Sequence, residues 1–263
     1  MDTKIPLYQV DAFAERPFSG NPAAICPLDD WLGADVMQSI ALENNLSETA
    51  FLVGGDGAYD LRWFTPTCEM DLCGHATLAS AHVVFNALEI DCKEVCFSTR
   101  SGDLIVKRDG ERLLMSFPAI ENQPIEPIIG LAEAIGVEIE QTLTSTQYQM
   151  VVLGNAEMVE KLQPDIGFIA ANVHKGELIV TAPGDDCDFV SRFFAPGAGI
   201  DEDPVTGSAH CQLVPYWSGR LGKKTLLARQ LSARGGTLYC EDAGGRVMLG
   251  GRTIHFLEGT ITI

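Results

Sequence analysis

The chain lacks several features that would assign it to a function class at once. Its 263 residues contain no uninterrupted apolar run of the roughly 18 residues that a membrane helix requires, and the first ten residues lack the apolar core of a signal peptide. Lysine and arginine are scarce, 18 against 36 aspartates and glutamates, and the net charge of −18 opposes nucleic-acid binding. The composition therefore predicts a cytoplasmic protein that binds neither membrane nor nucleic acid.

Metal-binding spacings are also missing. The five histidines form no HExxH pattern, and the pairs Cys68–Cys73 and Cys92–Cys96 do not make paired zinc knuckles. Eight cysteines would suit four disulfides, but a chain of this length without an export signal does not favour them. We therefore expect neither a structural metal nor a disulfide framework.

An internal repeat is the strongest signal that the chain does contain. Three residues of one segment recur 130 positions later: Arg62, Phe64 and Pro66 return as Arg192, Phe194 and Pro196. A short acidic loop and a small-residue turn follow each segment, and Gly74 and Ala76 match Gly207 and Ala209 at an offset of 133. Since the offset is about half the chain length, the repeat predicts two related halves.

Each half is predicted to run from a strand through a loop and a glycine-bearing turn into a helix. The segments 59–64 and 189–194 have the composition of strands, and the residues after Gly74 and Gly207 have helical spacing. Pro215 is expected to kink or end the second helix. Further strands are predicted at 49–53, 95–99, 103–107, 113–117 and 178–182, and an amphipathic helix at 30–45.

Strands outnumber helices in this pattern, which predicts the α+β class. We expect two pseudo-symmetric domains, 1–118 and 119–263, each a curled, mostly antiparallel sheet around a central helix. The C-terminal strand could cross back to the first domain. The proline-rich segment 118–127 is the predicted linker.

The two glycine turns have a chemical use. Glycine at a helix start lets a ligand approach backbone N–H groups at the positive end of the helix dipole. If the halves face each other, Gly74 and Gly207 would both point into one cleft that suits a carboxylate. His75, Ser208 and Asp203 stand on or beside these turns as candidate substrate-binding residues, although a local cap or a solvated loop would also explain them.

Glu48 is the candidate catalytic residue. It lies where a predicted helix gives way to a strand, and Thr49, Ala50, Phe51 and Leu52 follow it. A carboxylic acid in apolar surroundings can give and take a proton near neutral pH. Capping or solvation at an element boundary is the alternative explanation from the sequence pattern alone.

Several short motifs occur along the chain. They are 10–13 (VDAF), 18–24 (FSGNPAA), 45–51 (NLSETAF), 64–66 (FTP), 72–77 (LCGHAT) and 203–209 (DPVTGSA). In this order, over about residues 8–217, they resemble one known family, the PhzF-like phenazine-biosynthesis isomerases.

The resemblance implies the diaminopimelate-epimerase-like fold, a homodimer, and an active site between two related domains that uses no cofactor or metal. In the phenazine enzyme, trans-2,3-dihydro-3-hydroxyanthranilate is the substrate, and a glutamate moves a proton between two ring carbons. That glutamate matches Glu48, and the supporting residues match His75, Asp203 and Ser208. The resemblance therefore implies a cofactor-independent isomerase acting on a small amino or hydroxy carboxylate.

Two alternatives stay open. Related epimerases use one cysteine from each half, and Cys73 occupies the first position, so an amino-acid epimerase or racemase acting through Cys73 is the second candidate. The repeat places Thr206 opposite Cys73, and a threonine hydroxyl is far too weak an acid to replace the second thiol. The third candidate is a protein that keeps the fold but only binds partners. The polar residues Glu48, His75, Asp203 and Ser208 argue against it.

Overall fold

The computed structural model describes residues 3–263, which divide into two compact units. One unit comprises the described residues up to Ser116 together with Gly250–Ile263, and the other comprises Phe117–Leu249. No helix within the described part of the chain is long and apolar enough to span a membrane.

The described residues form eighteen strands and six α-helices. Up to residue 118 these are β1 (Lys4–Ala12), β2 (Asn21–Leu28), α1 (Ala34–Asn44), β3 (Glu48–Gly55), β4 (Ala58–Phe64), β5 (Glu69–Met70), α2 (Gly74–Val83), β6 (Glu94–Thr99), β7 (Gly102–Asp109) and β8 (Arg112–Pro118). A π-helical turn, Val84–Leu88, extends α2.

The later elements follow the same alternation of short strands and helices. They are β9 (Gln123–Pro124), α3 (Leu131–Ile135), β10 (Gln141–Thr144), β11 (Gln149–Val152), α4 (Ala156–Glu160), α5 (Ile166–Asn172), β12 (Leu178–Pro183), β13 (Phe189–Ala195), β14 (Ile200–Asp203), α6 (Gly207–Leu221), β15 (Thr225–Gln230), β16 (Gly236–Asp242), β17 (Arg246–Gly251) and β18 (Thr253–Thr262).

In the first unit, a mostly antiparallel sheet packs against α2. Strand β1 pairs antiparallel with β2 and β18, β3 with β4, and β6 with β7, whereas β2–β3 and β4–β6 are parallel. Eight of the ten residues of α2 are buried. This follows from its sequence, which carries small or apolar side chains on every face and no Asp, Glu, Lys or Arg.

The second unit is organised in the same way around α6. Strands β12–β13, β13–β14 and β15–β16 are antiparallel, and β11–β12 and β13–β15 are parallel. Trp217 of α6 stacks on Phe189 of β13 at 5.7 Å and donates its indole N–H to Thr181 Oγ1 at 3.0 Å. The fold is of the predicted α+β class.

The predicted strands and the first helix are present with small changes in their ends. The segment 30–45 forms a shorter helix, α1, whose buried residues Met37, Ile40 and Ala41 have the spacing of one helix face. They belong to a core cluster with Phe51 and Phe64, whose rings meet edge to face at 5.6 Å. The strands predicted at 59–64 and 189–194 are β4 and β13.

Pro215 does not end its helix, contrary to one of the two expectations from the sequence. Helix α6 continues to Leu221, six residues beyond the proline. A proline lacks the N–H that would bind the carbonyl four residues earlier, here that of Cys211. The backbone N–H of Ile120 binds the Cys211 carbonyl instead, at 2.9 Å, so the freed acceptor is satisfied and the helix continues.

Candidate active site

Glu48 is the first residue of β3, and its position follows from the turn before it. Asn45 caps the C-terminus of α1, with a left-handed conformation (φ 48°) and its N–H donated to the Ala41 carbonyl. The chain then enters β3 parallel to β2, with Glu48 beside Ala23. Glu48 is only 8% exposed, so it is a buried carboxylic acid and not a solvated surface group.

Cys73 and His75 belong to the turn that begins α2. Cys73 is the N-cap residue, in an extended conformation, and no side chain caps the helix. His75 is 5% exposed and points into the protein. It is therefore not a local helix cap, which was the alternative explanation from the sequence. The first N–H groups of α2, including those of Gly74 and His75, have no intrahelical acceptor because of helix geometry.

Glu48, Cys73 and His75 meet in one buried cluster. The Nε2 atom of His75 lies 2.8 Å from Glu48 Oε2, and its Nδ1 atom lies 3.5 Å from Cys73 Sγ. One ligand atom from each of the three residues lies within 4.8 Å of the others, so the set could hold a metal ion. Sulfur, nitrogen and oxygen donors of this kind would suit zinc.

The thiol of Cys73 is held in its neutral form. Burial raises the pKa of Cys73, and the negative charge of Glu48 raises it further, whereas contact with His75 lowers it by less. A thiol must lose its proton before it can remove one from carbon. Cys73 is therefore poorly prepared to act as a base near neutral pH.

Opposing effects act on the pKa of His75. Burial lowers the pKa of His75, while negative charge on Cys73 and on Glu48 raises it, with a net upward direction. Contacts with both Cys73 and Glu48 raise the pKa of His75. The imidazole and the carboxylate thus form a coupled buried pair.

Asn21, the first residue of β2, also contacts this cluster and was not singled out from the sequence. It is fully buried, and its side-chain Nδ2 lies 3.1 Å from His75 Nδ1. A polar residue between Gly20 and Pro22 is typical of a turn, so the local pattern hides its role. Its only signal in the sequence was membership of the 18–24 motif.

Gly20 lets the chain bring Asn21 into position, and we expect Gly20→Ala to destabilise the protein by about 2 kcal/mol or more. Gly20 has a φ of 72°, and a Cβ there would lie 2.3 Å from the backbone oxygen of Ala12. Gly102→Ala is the control, because Gly102 also has a positive φ (97°) but has nothing within 4 Å of the added Cβ. Urea denaturation of both variants gives the comparison. Equal losses of stability would show that strain, and not the contact with Ala12, decides the effect.

In the second unit, Asp203 and Thr206 form the turn that begins α6. Thr206 is the N-cap residue, the position that Cys73 holds in α2, as the repeat predicts. Its hydroxyl donates to Asp203 Oδ2 at 2.5 Å. The buried Gln230 donates to the Asp203 carbonyl at 2.8 Å and accepts from the Thr206 N–H at 2.9 Å. Gln230 lies 24 residues after Thr206, and the sequence pattern did not identify it as part of this turn.

Ser208 and Gly207 lie at the start of α6, with Ser208 half-buried. The hydroxyl of Ser208 shares a 2.9 Å hydrogen bond with that of Tyr148. Burial raises the pKa of Tyr148 to about 12, so this phenol keeps its proton at neutral pH. Tyr148 is a second polar neighbour that the sequence did not identify, since it lies 60 residues from Ser208.

A matching pair of ion pairs holds the loop before each helix. Arg62 binds Glu69 through two hydrogen bonds of 2.7 and 2.9 Å, and Arg192 binds Glu202 through two of 2.7 and 2.8 Å. Each guanidinium also lies over the phenylalanine two residues later, at 5.3 Å from Phe64 and 4.9 Å from Phe194. The repeated arginines and phenylalanines of the sequence thus perform the same structural task in both units.

The structure therefore groups the predicted residues in two places. Glu48, Cys73, Gly74 and His75 lie together in the first unit, and Asp203, Gly207 and Ser208 lie on one turn of the second. A helix N-terminus belongs to each group. Asn21 extends the first group, and Gln230 and Tyr148 extend the second.

Comparison with known proteins defines the class to which this fold and these residues belong. The family model described as phenazine biosynthesis-like protein (PhzC-PhzF) matches residues 10–259. A hydroxyproline epimerase from Agrobacterium vitis shares the fold, with a TM-score of 0.62 at 12% identity over 99% of this chain and 93% of that one. The chain belongs to the PhzC-PhzF family.

More similar proteins support this assignment. An uncharacterized isomerase of Pseudomonas aeruginosa is 48% identical over 98% of this chain and 99% of its own length. The crystal structure of a PhzF-family phenazine biosynthesis protein from Enterococcus faecalis has a TM-score of 0.96 and 45% identity, covering 99% of this chain and all of that one. The resemblance read from the short motifs is confirmed.

Proposed function

We propose that this protein is an isomerase in which Glu48 moves a proton between two carbons of a small amino or hydroxy carboxylate. The observation that carries the proposal is the buried Glu48 carboxyl, 2.8 Å from His75 Nε2 at the start of α2. Similar proteins carry the name isomerase, which supports the reaction class. The proposed location is the cytoplasm and the proposed assembly a homodimer.

The proposed reaction needs only an acid–base group. Glu48 removes a proton from one carbon as the C–H bond breaks, and the electron pair moves into the adjoining unsaturated system. The same carboxylic acid then returns a proton to a second carbon, where a new C–H bond forms. His75 supports the carboxylate through Nε2, and confinement beside the substrate supplies much of the acceleration. The proposal requires no cofactor or metal.

The same proposal gives the remaining residues a binding role. The backbone N–H groups at Gly74–His75 and at Gly207–Ser208 are the proposed carboxylate donors, because helix N-termini favour anions. Asp203 and Ser208 are the proposed partners of the substrate's amino or hydroxyl groups. Asp203 is fixed by Thr206, and Ser208 by Tyr148, so both side chains have a defined orientation.

The first experiment identifies the substrate. We would incubate the protein in D₂O with a panel of small amino and hydroxy carboxylates, including trans-2,3-dihydro-3-hydroxyanthranilate. Mass spectrometry would follow carbon-bound deuterium and rearranged products. Uptake with one member of the panel identifies the substrate class, whereas no turnover of any member would favour a protein that only binds.

The thiol alternative predicts a different dependence on Cys73. We expect Cys73→Ala to keep at least about a third of wild-type turnover, because the buried thiol keeps its proton at neutral pH. The measurement is kcat in the exchange assay, with the exposed Cys68→Ala as the control. Complete loss of exchange in Cys73→Ala alone, with unchanged thermal stability, would instead assign the chemistry to the thiol.

A further inference from the structure

We propose that Gln230 is a positioning residue that orients the Asp203 carboxylate through the hydroxyl of Thr206. The inference rests on the proposed function, in which Asp203 binds the amino or hydroxyl group of the substrate. It adds a residue outside the predicted site, and it assigns a direction to each hydrogen bond of the turn before α6.

The side chain of Gln230 is held in place by the sheet of the second unit. Gln230 is the last residue of β15 and is 1% exposed. Strand β15 runs parallel to β13, with Gln230 beside Ser191, and the N–H of Leu231 binds the Ser191 carbonyl at 2.7 Å. The sheet therefore presents the Gln230 amide to the turn before α6 from a fixed position.

The contacts of this amide leave one assignment for its oxygen and its nitrogen. The Thr206 backbone N–H can only donate, so Oε1 of Gln230, 2.9 Å away, is the acceptor. The Asp203 backbone carbonyl can only accept, so Nε2 of Gln230, 2.8 Å away, is the donor. A flipped amide would place two donors together in one contact and two acceptors together in the other. The backbone of the turn therefore determines the orientation of the amide.

The same amide nitrogen directs the hydroxyl of Thr206. Nε2 of Gln230 lies 3.2 Å from Thr206 Oγ1, and the hydroxyl oxygen accepts there because an amide nitrogen can only donate. The single hydroxyl proton is donated to Asp203 Oδ2 at 2.5 Å. Gln230, Thr206 and Asp203 thus form a chain of hydrogen bonds, called the relay below, that runs in one direction and ends on the carboxylate.

A second buried side chain holds the turn from within α6. Nδ1 of His210 lies 2.8 Å from the Thr206 carbonyl, which can only accept, so Nδ1 carries a proton. Burial lowers the pKa of His210 to about 4, so the imidazole is neutral at neutral pH. Thr206 is therefore bound at its N–H, its carbonyl and its hydroxyl, and the hydroxyl proton has a defined position beside Asp203.

The relay prepares Asp203 for its proposed substrate contact. A carboxylate that already accepts a hydrogen bond from Thr206 keeps one orientation, so its ordering does not have to accompany substrate binding. If the relay is broken, that ordering is added to the cost of binding. We therefore expect its loss to raise KM and to leave kcat nearly unchanged, because the proposed chemical step belongs to Glu48.

Crystal structures of the substrate-free protein provide the first test. Gln230→Met keeps the length of the side chain but can neither donate nor accept as the amide does. We expect the Asp203 carboxylate to leave its single orientation in this variant. An unchanged orientation in folded Gln230→Met would overturn the proposal. A wild-type structure without the contact between Thr206 Oγ1 and Asp203 would overturn it whether or not the variant folds.

Thr206→Val breaks the relay at its middle and does not require Gln230→Met to fold. The Thr206 side chain makes no capping bond to α6, so valine leaves the helix start intact. With trans-2,3-dihydro-3-hydroxyanthranilate as the probe, we expect KM to rise about 5- to 10-fold and kcat to stay within about twofold. Thr206→Ser keeps the hydroxyl, so we expect it to retain the wild-type KM. A fall in kcat at unchanged KM would contradict the proposal.

The double variant separates positioning from a merely structural effect. We expect KM of Gln230→Met with Thr206→Val to equal that of Thr206→Val alone, because both changes break the same chain of hydrogen bonds. Independent, additive increases would show that Gln230 acts by another route and would overturn the proposal. Gln123→Met is the matched control, because Gln123 is an exposed residue of the same unit, and we expect it to behave as wild type.

The proposed function can fail separately from this inference. If Glu48→Gln keeps full activity, the role of Glu48 is wrong, but the effect of the Thr206 variants on KM still tests the relay. If wild type does not convert the probe, the crystal structures still decide whether Gln230 orients Asp203.

Discussion

Replacing Glu48 by glutamine is expected to lower kcat about 10³-fold, because an amide cannot take a proton from carbon and general acid–base groups contribute effects of this size. Glutamine has nearly the shape of glutamate and can still contact His75 Nε2, 2.8 Å away, so the fold should persist. The measurement is kcat in the D₂O exchange assay, together with the thermal midpoint.

Glu94→Gln is the control for this change, since Glu94 lies in the same unit with a side chain that is 50% exposed and pairs with Lys107. We expect its kcat to equal that of wild type. Full activity in a folded Glu48→Gln protein would remove Glu48 from the chemistry. A loss of activity accompanied by unfolding would show that the buried carboxyl has a structural task instead.

Arg192→Leu is expected to lower the free energy of unfolding by about 3 kcal/mol, because it leaves the carboxylate of Glu202 without its partner. The side chains of Arg192 and Glu202 are only 11% and 22% exposed, so solvent compensates little for the lost ion pair. Arg192 also donates to the Leu162 carbonyl at 2.8 Å, and that acceptor loses its donor too. Urea denaturation followed by circular dichroism measures the loss.

Lys161→Leu provides the comparison, since Lys161 and Glu157 form an ion pair with side chains that are 71% and 69% exposed. We expect this change to leave the urea midpoint nearly unchanged, as is usual for exposed pairs. A similar small loss in Arg192→Leu would mean that the repeated Arg–Glu pairs do not hold the loops before the helices.

The fold class followed from the sequence because its signals are local. Strand-like composition predicted β4 and β13, and the repeat around Arg62 and Arg192 predicted matching halves. Prediction from the sequence failed where a contact with a distant residue offsets a local rule. Pro215 is tolerated inside α6 only because Ile120, nearly a hundred residues earlier in the chain, binds the carbonyl that the proline leaves free.

For the candidate site too, the sequence predicted the residues that stand in local motifs and missed those defined by distant contacts. Glu48 and His75 stand in short motifs, and the structure places them in contact, but their catalytic roles stay predictions. Asn21 and Tyr148 escaped notice because their importance lies in partners 54 and 60 residues away, His75 and Ser208. No periodicity or spacing in one sequence reports such pairs.

The most direct test of Glu48 as the single acid–base group follows a deuteron through one turnover. Substrate deuterated at the carbon that loses its hydrogen would be converted in ordinary water by wild type and by Cys73→Ala. We predict a rearranged product from both proteins, with part of the deuterium at the receiving carbon, because one buried carboxyl (Glu48 is 8% exposed) carries it. A product inverted at the original carbon, free of deuterium and absent with Cys73→Ala, would contradict this account.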